Sequence, residues 1–197
     1  MKDLRGQAVR RIKEKDILKF KKYFEKADSR MYALFNIGLN LGIRISDLIN
    51  LKFEDIDADK KIYLIEKKTQ KKKTLKLNRL CIEMIEVLKR EYISRGLLPV
   101  GYLFKSYYRK FIKEKIDKPL SVVTVNKNLN IAKNQLKITY PVGTHSMRKT
   151  WAYTIYVGEK DIVLVMKMLN HSSQKQTLTY IGIEEETYVK IYERYII

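Results

Sequence analysis

Thr144-His145-Ser146-Met147-Arg148-Lys149-Thr150-Trp151-Ala152 sets a histidine and an arginine three residues apart. On a helix that spacing puts both side chains on one face, one turn apart. His145 carries a ring that can give or take a proton near neutral pH. Arg148 offers a planar fork of donors that fits a phosphate. The residues before them, Tyr140-Pro141-Val142-Gly143, read as a turn feeding the helix, with Thr144 as its expected N-cap. A helix N-terminus at that point adds its own attraction for an anion. Alone, the spacing is also that of an ordinary solvated helix face, so its weight depends on the rest of the chain.

Downstream, 161–169 is an apolar helix with Asp161 as its cap, followed by Asn170-His171-Ser172-Ser173. The segment 174–181 holds Tyr180, and 184–197 reads as a last helix with acidic residues in its first turn, as the macrodipole prefers. Upstream, 121–136 is a helix capped by Ser121, and 78–95 is a long amphipathic helix closed by Gly96. Between them, 101–119 mixes Tyr102, Phe104, Tyr107, Tyr108 and Phe111 with basic residues; packing under a loop is the expected use of these rings, ahead of stacking on bases. The segments 61–66 and 74–77 read as two short strands. A helix over 16–26 has Asp16 as its expected N-cap, 29–41 is a more apolar helix that Gly42 stops in a left-handed cap, and 1–11 is polar and basic. With no internal repeats or Pro/Gly-rich linkers, the chain is expected to be mainly α with a small antiparallel β-hairpin, an α+β domain.

The chain has 197 residues, 45% of them hydrophobic, enough for one sizeable core. Its 41 basic against 22 acidic residues leave a net charge of +19, which points to a polyanionic partner, nucleic acid ahead of an anionic membrane surface. No long apolar span or signal peptide is visible. One cysteine, Cys81, and two histidines exclude a disulfide framework and a Cys- or His-rich metal site, and a reducing cytoplasm is the simplest location.

Gly42-Ile43-Arg44-Ile45-Ser46-Asp47-Leu48 puts an arginine at a helix junction between apolar neighbours, with Ser46 or Asp47 able to cap the second helix. Burying an unpaired arginine is costly. Its partner is either a structural carboxylate, Asp47 or Asp55, or a ligand phosphate. Lys67-Lys68-Thr69-Gln70-Lys71-Lys72-Lys73 places five lysines at a hairpin tip, where they are solvated or touch phosphates.

In order, the chain carries Gly-Ile-Arg-Ile-Ser-Asp-Leu, the basic hairpin, His-x-x-Arg, Leu-Asn-His-Ser-Ser, and a tyrosine nine residues after that histidine. This order resembles the catalytic domain of the tyrosine recombinase, or phage integrase, family, in a short form similar to fimbrial phase-variation invertases. The resemblance implies a site-specific recombinase that cuts and rejoins double-stranded DNA through a 3′-phosphotyrosine, without metal, ATP or other cofactor. It implies catalytic roles for Arg44, Lys68, His145, Arg148, His171 and Tyr180, with Lys67 or Lys71 in place of Lys68 if the turn slips. Asp47 matches a supporting acidic residue, and Lys67, Lys71, Lys72, Lys73 and Lys149 are the expected DNA contacts.

Departures from the family pattern are Asn170, where the family usually has glycine, and the lack of a full core-binding domain in 1–28 before a catalytic domain at 29–183. Asn tolerates a left-handed turn better than most residues. Trp151, beside the central pair, reads as core. The segment 184–197 either packs on its own domain or docks on a neighbouring protomer. A homotetramer on paired DNA sites, with a monomer or weak oligomer off DNA, is the expected assembly. A DNA-binding module that regulates a full-length recombinase without recombining is the alternative.

Overall fold

A computed structural model describes residues 9–183 together with Tyr192 and Arg194. Most of the segment expected as a terminal helix, 184–197, and most of the basic stretch 1–11 therefore lie outside the described residues.

The fold is assembled around α2 (Ser29–Leu41), whose sequence SRMYALFNIGLNL is apolar on nearly every side. A helix of that kind must be covered all round. On one side lies α1 (Glu14–Ala27), amphipathic, which presents Phe20 and Phe24. Their rings meet each other and Phe35 at centroid distances of 5.4–6.2 Å. On others lie α4 (Arg79–Ser94) and α7 (Thr144–Glu159). Where α7 crosses, Gly38 lets the Met147 sulfur come within 2.9 Å of where a Cβ would stand.

After α2 come α3 (Ile45–Leu48) and the hairpin of β1 (Lys61–Ile65) and β2 (Lys72–Lys76). The strands pair antiparallel, Lys61 opposite Lys76 and Ile65 opposite Lys72. Alternation sends Ile62 and Leu75 into the core and leaves Tyr63 and Ile65 exposed. A short α5 (Arg109–Lys113) and then α6 (Val122–Gln135) precede α7. A second apolar cluster of Trp151, Ala152, Val165, Leu169 and Ile181 ties α7 to α8 (Ile162–Leu169) and α9 (Gln174–Ile181). The result is mainly helical with one two-stranded sheet, as expected.

Caps account for several boundaries. Ser121, Asn78 and Asp161 each accept from the first-turn amides of their helices, and Asp28 does so for α2. Three starts differ from expectation. Asp16 lies inside the first turn of α1, buried, holding Lys19 at 2.8 Å and accepting from the Tyr140 hydroxyl at 3.0 Å, so it serves tertiary packing in place of a cap. Neither Ser46 nor Asp47 caps α3: Arg44 occupies the cap position, and the Asp47 carboxylate is taken by the Lys67 amide at 3.1 Å. Thr144 is the first helical residue of α7, Gly143 being extended ahead of it, with Asn126 Oδ1 receiving the Thr144 amide. In the 101–119 region, Leu103 and Phe104 are fully buried, and the Tyr92 hydroxyl donates to the Leu103 carbonyl at 2.5 Å. At 9–13 the chain runs along the start of α7: Arg10 N donates to Pro141 O, and Ile12 N to Thr150 Oγ1. The helix α1, together with Ile12, thus shares the main core with the elements after residue 28.

Gly42 ends α2 at φ 58°, the left-handed cap expected of it. A Cβ there would stand 2.1 Å from the Trp151 ring. Gly42→Ala therefore combines positive-φ strain with overpacking. A destabilisation of at least about 1–3 kcal/mol is expected, which for a domain of this size lowers the melting temperature by on the order of 5 °C. Calorimetry checks this, and an unchanged melting temperature would show that Trp151 yields.

Candidate active site

Three junctions converge on the N-terminal end of α7: the α2–α3 turn, the β1–β2 turn and the α8–α9 turn. Each contributes polar side chains. Arg148, on the buried face of α7, is 3% exposed. Its two terminal nitrogens donate to the carbonyls of Gly42 at 2.5 Å and Leu169 at 2.8 Å. Arginine has five N–H donors in a rigid plane. Two are spent on fixing that plane between two helix ends, and the others remain for a ligand.

Arg44 approaches Glu66 at 2.8 Å, the arginine slightly exposed and the glutamate fully buried. The partner of Arg44 is therefore neither Asp47 nor Asp55 but the acid that directly follows β1. Glu66 also accepts from Thr69 Oγ1 at 2.6 Å and Asn170 Nδ2 at 2.9 Å, both on Oε2. Burial pushes its carboxyl upward, but these three donors and the Arg44 charge outweigh it and hold the acid at about 2. Asn170 itself adopts φ 56°, ψ 38°, the left-handed turn expected there.

His145 is exposed and His171 half-buried. Crowding of the rings, and then the positive charge of Arg148 and Arg44, hold both below the usual imidazole range; Lys149 and Lys68 add to this at His145. Although open to solvent on one side, His145 is thus pushed toward the neutral form first by partial desolvation and then by its cationic neighbours. His171 Nδ1 lies 3.2 Å from Thr177 Oγ1, and its ring meets the Tyr180 ring edge-on at 5.1 Å.

Tyr180, on α9, has a buried hydroxyl with no well-aligned hydrogen bond among the described residues. Burial raises its pKa above the usual phenol range, while Arg148 and Arg44 partly pull it back. Lys149 Nζ stands 5.1 Å from the centre of its ring. The structure thus brings Arg44, His145, Arg148, His171 and Tyr180 together, with Lys68 on the exposed turn close enough for His145 to feel its charge.

The hairpin lysines divide. Lys67, Lys68, Lys71 and Lys72 are exposed. Lys73 turns inward: Nζ donates to the Met168 carbonyl at 2.9 Å and lies 5.7 Å from the Trp151 ring, and burial with the Arg148 charge presses it down to about 8. Lys73, expected as a DNA contact, is thus engaged by the protein itself, and Glu66 was not among the expected site residues. Strand alternation carried a signal for Glu66, which follows Ile62 and Leu64 on the inward face of β1. Among the described residues, two guanidiniums, Lys73, Lys149 and two neutral imidazoles thus share the electrostatic influence of two carboxylates, Glu66 and Asp47, an excess of positive charge suited to an anion.

The sequence pattern of the phage integrase family matches residues 10–186. The chain belongs to that family. Within it, the chain is 33% identical over 183 residues to the probable integrase/recombinase YoeC of Bacillus subtilis, covering 92% of each protein. It is 31% identical over 157 residues to the tyrosine recombinase XerC of Caldanaerobacter subterraneus subsp. tengcongensis, covering 79% of this chain and 42% of that one. The chain therefore spans less than half the length of the second relative. Its fold is that of the XerH site-specific recombinase in a post-cleavage complex with palindromic difH DNA, with TM-score 0.73 at 21% identity over 98% of this chain and 55% of that one.

Proposed function

We propose that Tyr180 is the nucleophile of this integrase-family chain, and that Arg44, Arg148 and His171 clamp the scissile phosphate it attacks. Site-specific recombination of DNA is the function that family membership carries. The residue roles rest on one observation: the buried Tyr180 hydroxyl lies in the field of both arginines, beside a histidine and away from bulk water.

The Tyr180 oxygen attacks phosphorus, and the 5′-oxygen of the next nucleotide leaves. A 3′-phosphotyrosine and a free 5′-hydroxyl result, and a hydroxyl from a second strand reverses the step, so no external energy source is consumed. Charge builds on the nonbridging oxygens, where the free donors of Arg148 and Arg44 serve. His145, neutral at physiological pH, takes the tyrosine proton. Lys68, on the exposed turn, gives one to the leaving oxygen. Asp47 steadies the base of that turn through the Lys67 amide. A duplex nicked beside its cleavage site, drawn from the DNA flanking the gene, tests the reading: the short fragment diffuses away and the protein stays covalently attached.

Lys67, Lys71 and Lys72 on the hairpin, with Lys149 at the site, supply phosphate contacts, which fix position but carry no sequence information. With the basic stretch 105–118 they neutralise about 5–8 phosphates, giving a log–log salt slope of roughly −5 to −7. One protomer on one half-site is expected to bind weakly and with little discrimination at physiological salt, and site choice to come from cooperative occupancy of paired half-sites by a tetramer. Titrations of duplexes with one or two half-sites across salt concentrations check this. Tight, sequence-specific binding to a single half-site with a shallow slope would defeat it. No described helix is long and apolar enough to cross a membrane.

A further inference from the structure

The carboxylate of Glu66 is fully buried, yet no step of strand cleavage uses it. A buried charge is normally kept only where several partners need it. Its three partners come from three different catalytic elements. Arg44 stands at the α2–α3 junction, 2.8 Å away. Thr69 stands in the β1–β2 turn, next to Lys68, and donates at 2.6 Å. Asn170 stands in the α8–α9 turn, next to His171, and donates at 2.9 Å. All three meet one oxygen, Oε2, and the other, Oε1, is buried with no partner among the described residues.

The α8 end is held from other directions as well. Lys73 donates to Met168 O and Arg148 to Leu169 O, so three consecutive residues are tied to the hairpin or to α7. Beyond the effect of burial, the Arg44 charge lowers the affinity of Arg148 for its proton, and both arginines do the same to Lys73. Before any phosphate arrives, Glu66 is a fully buried carboxylate 2.8 Å from one of those arginines.

We propose that Glu66 is a positioning residue: it fixes Arg44, the Lys68 turn and the His171 turn relative to one another and stands in for the phosphate charge until DNA binds. This rests on the recombinase reading above. It separates two contributions of Glu66, hydrogen-bond acceptance and charge. Glu66→Gln keeps an acceptor for Thr69 and Asn170 but loses the counter-charge to Arg44. Glu66→Ala loses both.

The test is single-turnover cleavage of the nicked duplex, measuring the rate constant, the final fraction of protein trapped, and DNA affinity separately. Glu66→Gln should bind DNA as tightly as the wild type or tighter, having one negative charge fewer near the phosphate, and should reach the same trapped fraction about tenfold more slowly. Glu66→Ala should be slower still. Thr69→Val, which removes one donor to Oε2 from an ordinary turn position, should slow cleavage severalfold and guards against a Glu66 variant that fails to fold. A role in stability alone would lower the trapped fraction and the melting temperature while leaving the rate constant within twofold, and that result would overturn the proposal. If the wild-type protein itself formed no adduct through Tyr180, the failure would belong to the recombinase reading and not to Glu66.

Discussion

Tyr180→Phe is expected to bind DNA as the wild type does, to melt within about 2 °C of it, and to form no covalent protein–DNA adduct. Folding and binding are spared because the tyrosine hydroxyl makes no well-aligned hydrogen bond among the described residues. Its nearest donor, Arg148, is already held by the carbonyls of Gly42 and Leu169, so removing the hydroxyl leaves no orphaned partner, and such changes are near neutral. The ring keeps its edge-on contact with His171 and its place under Lys149. Adduct formation is lost completely, because a phenyl ring has no atom able to bond phosphorus. The phenol is not self-activating: burial raises its proton affinity, and the two arginines only partly reverse this. A base is therefore needed, and His145, held neutral in the same cluster, is the one assigned that role, His171 being assigned to the phosphate. Gel analysis of trapped complexes reads the result. An adduct that persists in Tyr180→Phe would move the nucleophile to another tyrosine, with Tyr188 the next one along the chain.

Much of this arrangement was legible in the residue order, for physical reasons that differ from element to element. Helices such as α4 and α6 announce themselves by an apolar stripe and a cap, both local in sequence. Gly42 and Asn170 were readable as left-handed positions because few other residues tolerate that backbone. The starts of α1 and α3 differ from expectation because a residue with good capping chemistry is claimed by a distant group: Asp16 by Tyr140, Asp47 by the Lys67 amide. Sequence spacing carries no information about such competitors. Glu66 was hidden in a run of lysines, where charge suggested solvent, and only the period-two alternation of β1 placed it inside. Lys73 was hidden for the same reason, since an inward lysine needs a carbonyl acceptor, Met168 O, that lies 95 residues further on.

Arg44→Ala and Arg148→Ala should each slow strand cleavage by a hundredfold or more, since removing one preorganised donor to a developing charge costs roughly 2.7–4 kcal/mol. Nonspecific DNA affinity should change little, because the chain keeps 40 of its 41 basic residues in either variant. The two changes should differ in stability. Arg148→Ala strips donors from two carbonyls, Gly42 O and Leu169 O, and loosens the contact between α2, α7 and α8. Arg44→Ala strands the buried Glu66 charge, and breaking one side of a buried pair typically costs about 3–5 kcal/mol. Adding Glu66→Gln to Arg44→Ala removes the stranded charge, so the double variant should recover most of the lost melting temperature. It should recover none of the cleavage rate, because the missing donor at the phosphate is not replaced. That divergence separates folding from catalysis in a way neither single variant can. Cleavage within about tenfold of wild type in either arginine variant, a loss below about 1.4 kcal/mol of transition-state stabilisation, would remove that arginine from the clamp. Recovery of cleavage in the double variant would mean that Arg44 serves only to neutralise Glu66, leaving Arg148 and His171 to hold the phosphate.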